Sequence, residues 1–190
     1  APKITGGGAP FSSHVNIGDF NKDGLIDMGV VGNNLYTVLT FDNGLLDTLW
    51  QIATTDGSGM TGSTLFDFDA DGSQEVVYRD ETDLRIIDGA TGVDKVTIPC
   101  TSGTRNEYPT VADIDQDGES EIMCACGNGI TVFETDGSST WAPSRKVWNQ
   151  HAYFNVNIND DLTVPLEQQN HGIIEDSIKM NTFLTQYSAP

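Results

Sequence analysis

Three nine-residue stretches crowd oxygen donors at one spacing: DFNKDGLID over 19–27, DFDADGSQE over 67–75 and DIDQDGESE over 113–121. Numbered from its first aspartate, each carries a donor at positions 1, 3 and 5. These are Asp19, Asn21 and Asp23; Asp67, Asp69 and Asp71; and Asp113, Asp115 and Asp117. Position 6 is always glycine (Gly24, Gly72, Gly118) and position 9 is always acidic (Asp27, Glu75, Glu121). Like charges this close repel, and a cation among them removes the cost. Alternating side chains on a curled loop converge on one point, and the glycine permits the sharp turn. A flexible cage of roughly six to eight hard oxygen ligands suits Ca2+, whereas Mg2+ takes fewer protein ligands in stricter geometry. The backbone carbonyl at position 7, from Leu25, Ser73 or Glu119, adds a further ligand. Three Ca2+ sites are therefore expected, one per stretch. Asp-rich turns do occur without metal, but three in one register, each closed by an acid, favour it.

An EF-hand loop opens the same way but closes with Glu at position 12, between helices. Position 12 here is Val30, Tyr78 and Cys124, and the residues that follow are short and β-branched. The loops are expected to lie between strands.

The elements around them repeat as well. The first aspartates, at 19, 67 and 113, stand 48 and 46 residues apart. Each loop runs into a short apolar segment (MGVVG, VVYRD, IMCACG), then a turn and a second one (LYTVLTF, LRIIDG, ITVFETDG). Small-residue segments precede each loop: GGGAPFSSHVNIG, TTDGSGMTGSTLF and CTSGTRNEYPTVA. Asn-Gly and Asp-Gly steps at 43–44, 88–89, 128–129 and 136–137 are hairpin signals. No helical period is sustained before residue 145. Repeated units of about 40–50 residues with some four strands are the signature of propeller blades. The spacing predicts an all-β fold of three four-stranded units, over about 9–59, 60–105 and 106–140, with 141–190 as closing strands and a linker. Closing a propeller takes at least about four blades. The chain is therefore expected to be part of a longer propeller-bearing one, with closing strands from 141–190 or from a partner as the other routes.

The pattern over residues 9–140 resembles the FG-GAP/VCBS repeats of integrin α-chain-like β-propellers, with tokens such as Gly8-Ala9-Pro10 partly present. That resemblance implies calcium at positions 1, 3, 5 and 9 of each loop, in the hairpin between blade strands and mainly structural. The run WAPSRKVWNQHAYFNVNINDDL over 141–162 is similar to a segment that follows such repeats in large secreted bacterial surface proteins. The implied role is a calcium-stabilised module of a secreted or cell-surface protein, acting in adhesion or protein–protein interaction. Its partner would be a protein or glycan outside the cell. A lectin-like sugar-binding propeller is the alternative, with Trp50, Tyr108 and Trp141 as candidate stacking residues. A polysaccharide hydrolase or lyase is a weaker one.

The bulk numbers agree with an extracellular, calcium-loaded reading. Of 190 residues, 37% are hydrophobic and 20 are glycine, which suits a turn-rich all-β chain with a real core. The net charge is −19, from 9 basic and 28 acidic residues, which argues against nucleic acid and against adhesion to anionic lipid. Twelve of those acids lie in the three stretches, and three divalent cations would bring −19 to −13. No apolar run approaches the roughly 18 residues of a membrane-spanning helix, so no direct membrane insertion is expected. The opening APKIT carries neither Met nor a signal peptide, which suggests a processed form or an excised fragment.

Cys124 and Cys126 share a face of an expected strand, so Cys100 can pair with either, or all three can be small buried hydrophobes. No CxxC pair or nearby histidine supports zinc. Trp141 and Trp148 are expected to cap the last blade, and VWNQHAYFNVNIN to supply a strand or two. Residues 166–190 show no firm period and read as an extended linker. His14, His151 and His171 lie far apart, and no GxSxG, HExxH or phosphate-cradling loop occurs. A non-enzymatic protein is expected.

Overall fold

The computed structural model describes residues 13–32, 34–103, 105–167 and 182–187. Eleven strands form three antiparallel sheets, and among the described residues the helical structure is one 3-10 turn, Asn155–Asn157. The first sheet is ordered β1 (Asn16–Gly18), β2 (Asp27–Gly32), β3 (Leu35–Asp42), β4 (Leu45–Ala53). The second runs β5 (Ser63–Phe66), β6 (Glu75–Arg79), β7 (Asp83–Asp88), β8 (Asp94–Pro99). The third holds β9 (Thr110–Ala112), β10 (Glu121–Cys126) and β11 (Gly129–Phe133). Each is a meander in chain order, so every connection is a hairpin and none crosses over.

Local chemistry sets these boundaries. Each acidic loop joins the first strand of its sheet to the second, and its position-9 acid is the first residue of that second strand. The β3–β4 turn is Asn43-Gly44 with φ of 48° and 79°, the paired positive values a tight hairpin needs. The Asp88-Gly89 step differs. Its loop returns to β8 through a Gly92 N–H bond to Asp88, and Gly89 lies so close to the Gln74 carbonyl that no Cβ would fit.

The sheets stack face to face, and strict alternation supplies both faces of the middle one. On β6, Val76 and Tyr78 face the first sheet, among Phe20, Tyr36, Val38 and Trp50. Val77 faces the third sheet, among Phe68, Val111, Ile122 and Cys124. Both β5 and β6 are buried along their whole length. Burying side chains of this size contributes about 1.5–3 kcal/mol each. The described residues form no closed ring of blades.

Several expectations change here. The third unit has three strands rather than four. Its Cys100–Cys126 disulfide ties the end of the second sheet to the third, leaving Cys124 as a buried thiol. Residues 141–162 hold no strand. Their irregular path is fixed by Arg145, whose guanidinium donates to Asn155 O (2.6 Å), Ile158 O (2.8 Å), the Tyr153 hydroxyl (3.1 Å) and Asp160 (2.7 Å).

The expected linker also departs from its reading, because residues 182–187 are built into the middle of the fold. Phe183 exchanges two backbone hydrogen bonds with Ile17 of β1, while Leu184 O and Gln186 N bond Leu65 of β5. The fully buried Gln186 side chain donates to Val111 O and Val147 O and accepts from the Tyr153 hydroxyl. The segment thus joins the first strands of two sheets and touches that of the third. The Gly8-Ala9-Pro10 token, His171 and the rest of the expected linker, apart from 166–167 and 182–187, lie outside the described residues.

Candidate functional site

The three acidic loops fold alike. Position 4 has positive φ in each, at Lys22 (60°), Ala70 (55°) and Gln116 (69°), and so does the position-6 glycine (80°, 92°, 97°). Two left-handed residues this close curl the loop tightly. None of the position-4 types announces a left-handed conformation, so the sequence offered no signal for it beyond the glycine two places on.

The hydrogen bonds repeat as well. The position-2 N–H donates to the position-9 carboxylate: Phe20 to Asp27 (3.1 Å), Phe68 to Glu75 (2.8 Å) and Ile114 to Glu121 (2.6 Å). The N–H groups of Leu25, Ser73 and Glu119 bond the position-5 carboxylates of Asp23, Asp71 and Asp117, at 2.7–2.8 Å. Asp19 and Asp67 each accept from the N–H groups of positions 5 and 6. The position-3 oxygens of Asn21, Asp69 and Asp115 accept from the position-5 N–H. Every carboxylate at positions 3, 5 and 9 is thus held by an amide, as are Asp19 and Asp67 at position 1.

Donor oxygens of Asp67, Asp69 and Asp71 lie within 4.8 Å of one another, as do those of Asp113, Asp115 and Glu121. Asp27, Glu75, Asp113 and Glu121 are almost fully buried. Asp27 Oδ1 and Asp113 Oδ1 are buried and make no hydrogen bond. Such an orphaned anionic oxygen costs stability unless something positive meets it.

The electrostatics carry the same strain. Burial pushes Asp27 up to about 6, although the Phe20 N–H and the nearby Thr40 hydroxyl, which falls short of hydrogen-bond geometry to Oδ1, pull it down. Burial also pushes Glu75 up to about 7, opposed by Lys95, and raises Asp67 and Glu121. Asp69 moves the other way, lowered chiefly by its bond to Lys95. Lys95 Nζ lies 2.9 Å from Asp69 and 2.6 Å from Glu75, and Lys22 Nζ donates to the Asp71 carbonyl at 2.5 Å. Beside the third loop, the half-exposed Lys146 stands 3.9 Å from Asp113.

The aromatic candidates separate. Trp50 is core: it stacks on Tyr36 and donates its indole N–H to Gly89 O at 2.6 Å. Trp141 packs edge-on to Phe68, with ring centres 4.7 Å apart, at the border of the core between the second and third sheets. Trp148 instead stacks on Tyr153 in a separate cluster with Tyr108 and Leu184. Tyr108 and Trp148 line a shallow, wide-open cavity of about 310 Å3 with Glu107, Asn149, Gln150 and His151. His14 and His151 meet edge to face at 4.9 Å, and His14 is held below its ordinary value by burial and by His151.

No family model matches the chain, and no curated protein matches it. Among solved structures, it is similar to the crystal structure of the V. cholerae biofilm matrix protein Bap1, with a TM-score of 0.69 and 28% identity. The similarity covers 85% of this chain and 28% of that one, so this chain spans less than a third of that protein's length. No helix among the described residues is long and apolar enough to cross a membrane.

Proposed function

We propose that the chain is a calcium-stabilised run of β-propeller blades of the FG-GAP/VCBS kind, from a longer secreted or cell-surface protein that acts in adhesion. The observation that carries this reading is the repeated hydrogen-bonded loop, which brings carboxylates together in the second and third copies and leaves the buried Asp27 Oδ1 and Asp113 Oδ1 of the first and third without a partner. The donor set is all oxygen, which fits Ca2+. Positions 1, 3, 5 and 9 would supply side-chain ligands, with the carbonyls of Leu25, Ser73 and Glu119 added. Calcium then neutralises the loops it occupies and fixes the first hairpin of their sheets. The stacked sheets present their loops to a partner outside the cell, and no catalytic role is assigned. Likeness to a biofilm matrix protein supports the adhesive setting.

The test is a thermal melt with and without excess chelator, followed by add-back. A ligand that binds only the folded state raises the midpoint by mass action. Chelation should lower the midpoint, Ca2+ should restore it, and Mg2+ should restore it poorly. An unchanged midpoint removes the calcium reading.

A second reading, glycan recognition, draws on the cavity at Tyr108 and Trp148. An aromatic edge beside Asn149, Gln150 and Glu107 offers an apolar surface with planar hydrogen-bonding groups around it, the usual make-up of a small-ligand site. A glycan array separates it from protein-mediated adhesion. Hits abolished by Trp148→Ala, with the melt unchanged, would support it.

A further inference from the structure

The three loops share a backbone but not a counter-charge. In the first and third, a buried carboxylate oxygen (Asp27 Oδ1, Asp113 Oδ1) has no partner. In the second, both position-9 oxygens are taken: Glu75 Oε2 accepts from the Phe68 N–H, and Glu75 Oε1 accepts from Lys95 at 2.6 Å. The same ammonium holds Asp69 Oδ2 at 2.9 Å and stands 3.9 Å from Asp88. It therefore bridges positions 3 and 9 of the loop, which is what a bound cation does.

The fold explains why one loop alone receives a lysine. In both four-stranded sheets the ladder between the third and fourth strands slips by one residue, between Val38 and Leu39 in the first and between Ile86 and Ile87 in the second. The extra residue on the fourth strand is Leu49 in the first sheet and Lys95 in the second. Leu49 packs against the core between the first two sheets and offers no charge. The third sheet has no fourth strand among the described residues. Its nearest cation, Lys146, is half exposed and no closer than 3.9 Å. The middle loop also receives Lys22 from its neighbour, on the Asp71 carbonyl.

We infer that Lys95 is the resident cation of the middle loop, so that the chain binds calcium in the first and third loops only. The inference rests on the calcium reading above. A divalent ion entering the middle loop must take Glu75 Oε1 and Asp69 Oδ2 from an ammonium that is already bonded to both. In the other two loops Asp27 Oδ1 and Asp113 Oδ1 have no such bond to give up.

The experiment counts bound Ca2+ by titration calorimetry and native mass spectrometry, on the wild type, Lys95→Met and Lys95→Arg. Methionine keeps much of the stem and removes the charge, whereas arginine keeps the charge. The expected counts are two for the wild type, three for Lys95→Met and two for Lys95→Arg. Circular dichroism in calcium checks that the Met variant is folded. Three ions on the wild type overturn the inference and leave the calcium reading standing, and so does an unchanged count in folded Lys95→Met. If that variant does not fold, the wild-type count alone decides. A wild type that binds no calcium defeats the calcium reading itself.

Discussion

The second and third sheets are built from the same repeat yet are held in different ways. The second is covered on both faces: β5 and β6 are buried throughout, with Tyr78, Val76 and Leu65 against one neighbour and Val77 and Phe66 against the other. The third is covered on one. Ile122, Cys124 and Val111 face the second sheet. On the other face Met123 pairs with Val132 and Ala125 with Ile130, and all four side chains are exposed or nearly so. What the third sheet lacks in burial it gains in ties: the Cys100–Cys126 disulfide, the Ala142 N–H bond to Phe68 O, and the Gln186 amide on Val111 O. A repeat therefore does not carry its own stability. Its neighbours and its staples do.

The sharpest way to break that comparison is to empty the shared core. Phe66 is fully buried between the two sheets and meets Phe68 edge to face at 4.8 Å. Phe66→Ala should cost about 3–5 kcal/mol, the range for deleting a buried aromatic. Urea denaturation reads the cost, which should fall on both sheets together as one cooperative loss.

Next in size is the staple. Cys100→Ser combined with Cys126→Ser should cost about 2–5 kcal/mol. Unlike the core substitution, it should act unevenly. Hydrogen exchange should show β9–β11 losing protection before β5–β8. Equal loss in both sheets would mean that packing, not the disulfide, holds the third sheet in place.

The sequence was most legible where a short pattern implies a local geometry. The loops, the strands after them and the Asn43-Gly44 hairpin all follow from donor spacing, alternation and turn residues. It was least legible where the partner lies far along the chain. Ile17 and Phe183 pair across 166 positions, and nothing in NTFLTQY marks a strand that must slot between β1 and β5. The cysteines fall in between: Cys124 and Cys126 share a strand face, so spacing could not choose, and the position of Cys100 at the end of β8 selects Cys126. Lys95 was invisible because its role depends on a bulge, and a bulge of one residue leaves no mark on an apolar–polar pattern.

Acid offers a smaller test, in a region away from both sheets' cores. Burial and the neighbouring His151 hold His14 below its ordinary value, and its Nδ1 is buried without a partner. A histidine with a depressed folded pKa binds fewer protons folded than unfolded. Its contribution is fully present above about 6.5 and is lost as pH falls from there through the lower folded value. At saturating calcium, the wild-type midpoint should drop further between pH 7.5 and 5.5 than that of His14→Phe. A parallel fall in both proteins would assign the acid sensitivity elsewhere.

The smallest expected effect sharpens the comparison most. Val77 and Val132 are the same residue in equivalent sheets, one fully buried and the other 49% exposed. Val77→Thr places a hydroxyl in a dry core and should cost about 1–3 kcal/mol. Val132→Thr should stay within about ±0.5 kcal/mol, as surface substitutions do. The blade reading adds a condition. In a longer chain whose next sheet stacks on the third, Val132 takes the place that Ile86, the buried cross-strand partner of Val77, occupies here, and the same substitution should rise toward the buried cost. Measuring Val132→Thr by urea denaturation in this chain and in one extended by a further repeat separates the two cases. A cost that stays near zero in the extended chain means that the exposed face of the third sheet is a true surface, and the stack ends where β11 ends.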